Sequence, residues 1–387
     1  MKNTIKMSLV AAVAVAGLTS NVAAKPLEEA IKNVDISGSV VYRYQDANED
    51  TKGKDSSTKN YYKVATSLKS KVNDYVTATV RVLGTNDATA GGFTTLDTTD
   101  DNDSNVDVRI SQANFTVKTD YATVIAGKQG LTTPWTVAID ADGDEQTGTG
   151  LLTLVPAGPV TVAAAYFNQT NLTATGSVLA KAGIPTTEAN VATLGLLGQA
   201  GPVALDAWYI NLSDVLDSYT VGAKATIEGI TAALRYTSVD FEDDIMKTDN
   251  SLLDLKISAK VGPVGVWGQY AMTDKDGGTT ALENSAKTTI EGWNVTANGK
   301  ADLDFYGIGA DIDVMDGLNV ALNYRVLDYV DGGKDVDESE LYTQITHKMG
   351  KNLVTYVRLG QYEVENDNDA TKDIDSFRGR LQVEYKF

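Results

Sequence analysis

The sequence predicts an all-β protein: a transmembrane antiparallel β-barrel of about eighteen strands, with about sixteen as the alternative, joined by short periplasmic turns and long extracellular loops. Three observations predict it. Apolar and polar residues alternate with a period of two from end to end. Very short connections alternate with mostly long, acidic ones. After the N-terminal leader there is no run of about 18 apolar residues, so a chain that crosses a membrane must cross it with strands.

The leader is residues 1–24, "MKNTIKMSLVAAVAVAGLTSNVAA". It combines cationic Lys2 and Lys6, an apolar run from Met7 to Leu18, and small Val22 and Ala24 at the expected cleavage site. This is the pattern of a cleaved secretory signal peptide, leaving 25–387 as the barrel domain. The formal net charge is −19, and losing the two leader lysines makes it more negative. Such a balance argues against nucleic acid and anionic headgroups as partners and favours cations. The chain has no cysteine, which excludes disulfides, thiolate metal sites and cysteine nucleophiles.

The first strand is read in "VDISGSVVYRYQD", where Ile36, Val40, Tyr42 and Tyr44 oppose Ser37, Ser39, Arg43 and Gln45. The alternation returns in "SYTVGAKATIEG" and in "LNVALNYRVLDY". In "SNVDVRISQANFTVKT" the phase slips between Ile110 and Phe115, as at a bulge or a bend. Tight turns fall at "VND" (72–74), "TD" (119–120), "PAGP" (156–159), "QAGP" (199–202), "EG" (228–229), "VGP" (261–263), "MDG" (315–317) and "MGK" (349–351). Tyrosines near strand ends, among them Tyr42, Tyr209, Tyr236 and Tyr329, suit an interfacial girdle. The last strand, "RGRLQVEYKF", sets Leu381, Val383, Tyr385 and Phe387 against Arg380, Gln382, Glu384 and Lys386. Closure of a barrel requires this strand to pair with the first.

The mature start "KPLEEAIKNVDISGSVVYRY", the terminal "LQVEYKF" and the stretch "TPWTVAIDADGD" resemble the major outer membrane porins of the Campylobacter group and its relatives. The resemblance implies an eighteen-stranded barrel, a homotrimer, and an aqueous pore for ions and small hydrophilic solutes that prefers cations. It also implies a calcium ion near the constriction whose ligands are not confined to one loop, and the C-terminal aromatic residue separately looks like the assembly signal of bacterial outer-membrane barrels.

A porin works by holding a hydrated hole open and biasing passage by size and charge. By analogy with other porins, the connection 128–150 is the expected constriction loop. It concentrates Asp140, Asp142, Asp144 and Glu145, with Pro134 and Trp135 placed to anchor it. The lumen parity of the strands carries Arg43, Arg81, Arg109, Arg235, Arg325, Arg358, Arg378 and Arg380, of which Arg43, Arg81 and Arg109 are the expected counter-wall. Acidic and basic walls facing each other across the gap would impose a transverse field. The stretch "DADGDE" also suggests a calcium site at Asp140, Asp142 and Asp144, since hard cations take several oxygen ligands. Its spacing is not that of a helix-loop-helix site, because Leu151 stands where the closing glutamate would be.

Catalysis is not expected. His347 is the only histidine and lies beside a short turn on the lipid-facing parity, and no phosphate-binding or metalloprotease motif is present. The alternatives are a structural or adhesive surface protein and a substrate-specific channel, which would carry an aromatic track or a basic ladder.

Overall fold

Eighteen long antiparallel strands follow one another around a closed ring in the computed structural model, which describes residues 34–50, 54–85, 91–96, 106–175, 189–243, 245–366 and 373–387. The signal-peptide reading of 1–24 lies outside these residues. The strands are β1 (Val34–Glu49), β2 (Ser57–Lys71), β3 (Val76–Thr85), β4 (Thr94–Thr95), β5 (Asp107–Lys118), β6 (Thr123–Gly130), β7 (Thr147–Ala157), β8 (Val160–Thr170), β9 (Val191–Ala200) and β10 (Val203–Leu212). They continue with β11 (Leu216–Ile227), β12 (Ile230–Phe241), β13 (Asn250–Val261), β14 (Val264–Thr273), β15 (Ala301–Met315), β16 (Leu318–Asp331), β17 (Lys334–Met349), β18 (Leu353–Asn366) and β19 (Ile374–Lys386). The two-residue β4 only extends the edge of β2 above β3, so the wall has eighteen strands.

All eight tight turns stand at the positions read from sequence, because each carries the backbone chemistry of a hairpin. At Glu228–Gly229 both residues have positive φ (51° and 83°), the conformation that matches the twist of the flanking strands. The phase slip in β5 is a bulge: Arg81 pairs with Gln112 and Val82 with Ile110, which leaves Ser111 as the extra residue.

β19 closes on β1 over Ser39↔Lys386 to Glu49↔Ser376. Gly38 and Phe387 exchange two backbone hydrogen bonds of 2.9 and 3.1 Å beyond the end of the ladder. The Phe387 ring lies where a Cβ on Gly38 would be, 2.6 Å from that position, so only glycine admits it. Tyr385 stacks on the same ring at 6.1 Å.

Outward positions are apolar and uncovered: Ile36 and Val40 on β1, Leu194 and Leu196 on β9, Leu253, Leu255 and Ile257 on β13, Ile308 and Ile312 on β15. Tyrosine pairs Tyr219–Tyr236 and Tyr270–Tyr306 (6.2 and 5.2 Å between rings) contribute to the aromatic girdle. Tyr329, read as part of that girdle, instead turns inward under the ammonium of Lys300, 4.4 Å from its ring centre, on the face of β16 shared with buried Leu327.

The apolar core lies inside the barrel. One cluster joins Leu131, Trp135, Phe167, Ile210, Leu212, Phe241 and Leu282; a second joins Leu252, Ile290, Val295, Leu303, Phe305, Leu327 and Val336. Inner faces near the long loops are therefore not uniformly polar. Their apolar residues form the floor on which two long connections, 131–146 and 274–300, pack inward. The second of these reads as an acidic outer loop in the sequence, and its burial is a correction.

Candidate pore lining

The loop 131–146 leaves β6 and crosses to the far wall, held by partners spread around the lumen. Trp135 is buried, and its Nε1 donates to Ser218 Oγ of β11 at 2.8 Å. Further along, Arg43 of β1 donates to Asp142 Oδ1 (3.2 Å) and to the carbonyl of Ala141 (3.0 Å). Arg380 of β19 approaches the same Asp142 oxygen at 3.5 Å. Since the loop begins beside β6 and reaches β1, β11 and β19, it spans the interior.

Glu145 has a different setting from its acidic neighbours. It is 1% exposed, Arg81 grips it through Nε (3.1 and 3.0 Å) and Nη2 (2.7 Å), and Lys63 Nζ lies 3.1 Å away. Lys63 also donates to the Gly143 carbonyl. Burial pushes the Glu145 carboxyl up, but the two cations more than offset it and hold it below its ordinary value. The triad acts as a rivet between the loop and the β2–β3 wall.

Asp142 faces open space, with its side chain 70% exposed, against the arginine wall. Asp140 and Asp144 turn back on each other: Asp144 N donates to Asp140 Oδ1 at 2.8 Å and Asp140 N to the Asp144 carbonyl at 3.0 Å. Burial, then the charges of Asp144 and Glu283, push the Asp140 carboxyl up to about 8. Glu283, on the second inward loop, is pushed up to about 7, mainly by burial. Among the described residues no three acidic side chains converge closely enough to hold a metal ion. Of the three aspartates grouped by sequence, the structure brings Asp140 and Asp144 together and directs Asp142 to the arginines. Arg109 sits on the inner face of β5, across from Leu83 in the register.

The second inward loop, 274–300, is stitched to the first by Leu282 N to Trp135 O (3.0 Å), Thr288 N to Pro134 O (3.1 Å) and Ala141 N to Ser285 Oγ (3.2 Å). Its tip is held by Glu340 of β17, which accepts from Trp293 N (2.9 Å), Asn294 N (2.7 Å) and Arg325 Nη1 (2.6 Å) with its side chain fully buried. Trp293 thereby stands against the wall, 5.5 Å from Tyr342 and 5.2 Å from the Arg358 guanidinium. Sequence reading missed this loop, Glu340, Lys63, and Phe93, over whose ring Arg43 lies at 4.0 Å. Lys63 had a legible signal, its inward parity on β2. Glu340 and Trp293, 47 residues apart, had none.

A closed eighteen-stranded ring with an apolar exterior and charged loops folded into its interior defines an outer-membrane porin. The family described as Campylobacter major outer membrane protein matches residues 1–387, and the chain belongs to that family. The match bears out the resemblance carried by the two ends of the chain and by the stretch "TPWTVAIDADGD". Solved structures share the fold at low identity. Acinetobacter baumannii OccAB4 is 15% identical with a TM-score of 0.73, covering 92% of this chain and 98% of its own. Pseudomonas aeruginosa OpdL is 13% identical with a TM-score of 0.74, covering 92% and 99%. A BenF-like porin from Pseudomonas fluorescens Pf-5 is 13% identical with a TM-score of 0.73, covering 92% and 98%. No curated relative matches the chain by sequence. Family and fold are those of a channel rather than an enzyme, and they place the protein in the outer membrane. His347 lies on the outer face, paired in register with Leu318.

Proposed function

We propose that this porin is a general diffusion channel for ions and small hydrophilic solutes that favours cations. The observation that carries the preference is Asp142, which stands exposed on the first inward loop before the arginine wall in a chain of net charge −19. A carboxylate in a narrow, low-dielectric gap raises the local cation concentration, while Arg43 and Arg380 supply the opposite sign across it; Arg81 is spent on buried Glu145. Reversal potential under a salt gradient tests this. Wild type is expected to favour potassium over chloride, Asp142→Asn to lose part of that preference, and an anion-favouring potential in wild type would overturn the proposal.

For calcium, the side chains that support a site are Asp140 and Asp144, with Glu283 as a further carboxylate acting on Asp140; Asp142 is committed to arginine. Homotrimer assembly is supported by the outer face of β5 and β6. There Lys128, on the same side as exposed Phe115, donates to the Ile110 carbonyl (3.0 Å), a charge better covered by a neighbouring subunit than by acyl chains. Chemical crosslinking in detergent reads the subunit number.

A further inference from the structure

Cations line up on the lumen wall in a way the strand pairing itself disfavours. Arg358 of β18 pairs in register with Arg380 of β19, Arg380 with Gln45 of β1, and Gln45 with Lys59 of β2. Four adjacent strands thus present Arg, Arg, Gln and Lys in one row. Like charges directly opposite each other across a ladder are destabilising. Arg378 stands one step further along the same face of β19, and Arg43 faces the lumen from β1.

Four carboxylates act on the five cations Arg43, Lys59, Arg358, Arg378 and Arg380, since Glu291 lies near Arg380 and Glu340, already paired with Arg325, lies near Arg358. Asp142 is shared by Arg43 and Arg380, and Glu49 lies 3.7 Å from Arg378. Arg358 is held by the Gln344 amide oxygen at 2.6 and 2.9 Å and by the faces of Trp293, Tyr342 and Tyr356, none of which carries a charge. Lys59 is exposed and has no ion-pair partner among the described residues. In a strongly acidic chain, this wall keeps a local surplus of positive charge.

A cavity of about 170 Å³ opens beside the row, lined by Gln45, Lys59, Tyr61, Trp293, Arg378 and Arg380. At about 30 Å³ per water molecule it holds five or six waters, or one small polar solute. Guanidinium groups match the planar fork of an oxyanion with two parallel N–H bonds. Trp293 closes one side with an apolar face, fixed there through the Glu340 grip on its backbone. A wall that places like charges opposite each other sacrifices stability, and such local violations belong to functional sites.

We propose that this cavity is a binding subsite for the oxyanion group of a small polyhydroxylated solute, a sugar acid or a sugar phosphate, on the basic wall of the pore. Small cations pass along the first inward loop while the anionic solute dwells on the opposite side. The subsite rests on the open-pore reading, which potassium chloride conductance checks separately, and it does not depend on the sign of the ion selectivity.

Single-channel recording of the full-length protein tests it, with gluconate, glucose 6-phosphate and glucose as probes at equal concentration. Gluconate or glucose 6-phosphate is expected to produce concentration-dependent current blocks that glucose does not, and the longer dwell time identifies the preferred oxyanion. Arg380→Gln removes a charge-assisted contact of ~1.5–3 kcal/mol, which corresponds to about 10- to 100-fold shorter dwell times. Lys59→Gln, an exposed change that leaves the strand pairing intact, is expected to shorten them several-fold. The proposal is overturned if all three probes leave the same trace, or if Lys59→Gln and Arg380→Gln channels that conduct normally are blocked as in wild type.

Discussion

Replacing Glu340 by glutamine probes how the second inward loop is held. The buried carboxylate accepts two backbone N–H groups, from Trp293 and Asn294, and pairs with Arg325. Glutamine is nearly isosteric but neutral: its single oxygen keeps one of these partners, and its NH2 group points a donor at groups that are themselves donors. Hydrogen bonds to charged groups contribute ~1.5–3 kcal/mol each, against ~0.5–1.5 kcal/mol for neutral ones. The loss of charge at two backbone contacts and the unpaired guanidinium of Arg325 together cost about 3–5 kcal/mol, the range for a broken buried pair. At 1.4 kcal/mol per factor of ten, the population with a released tip rises by a factor of about 100 or more. Because Glu340 supplies only its side chain to this grip, the β16–β17 ladder stays intact and the barrel remains resistant to detergent at room temperature. Planar-bilayer recording is expected to show new flicker between two conductance levels. If the E340Q channel has the noise spectrum and conductance of wild type, the loop is held by its apolar floor alone, and the reasoning from the carboxylate fails.

Other consequences follow from the same geometry. Glu145→Gln leaves Arg81 and Lys63 buried against a neutral partner, a loss of about 3–5 kcal/mol from the loop anchor, so protease cleavage within 131–146 should become detectable on the folded channel. Trp135→Ala removes a fully buried indole and its bond to Ser218; a cost of about 3–5 kcal/mol is expected, read as a lower melting temperature with the far-UV β spectrum retained. Phe387→Ala strips the ring packed on Gly38 at the barrel seam and should slow refolding into lipid vesicles, with gel-shift kinetics as the readout. Chelation by EDTA should lower the melting temperature if calcium bridges Asp140 and Asp144, and an Asp140→Asn variant should then show no further drop.

Local physics made the barrel legible. Period-two alternation follows from the strand pleat, and the hairpin glycines follow from positive φ, so both can be read within a dozen residues; Glu228–Gly229 and the seam from Gly38 to Phe387 are where the sequence suggests them. The same local rule located the inward arginines. It could not say which carboxylate each would meet. Glu145 and Asp142 stand three positions apart, yet one is riveted into the β2–β3 wall and the other is exposed before β1 and β19. Composition grouped them because both are acidic residues of one loop.

What the sequence by itself determined is therefore the ring: its closure, its turn positions, the greasy exterior and the seam, all set by interactions between near neighbours or by the need to leave no open edge in hydrocarbon, while the structure chose eighteen strands over sixteen. Only the tertiary structure decided what fills it. The inward course of 274–300, the grip of Glu340 on the Trp293 tip and the row from Arg358 to Lys59 arise from contacts across the lumen between segments far apart in the chain. Such contacts have no period, because a closed barrel brings distant strands face to face without imposing any spacing on the residues that meet.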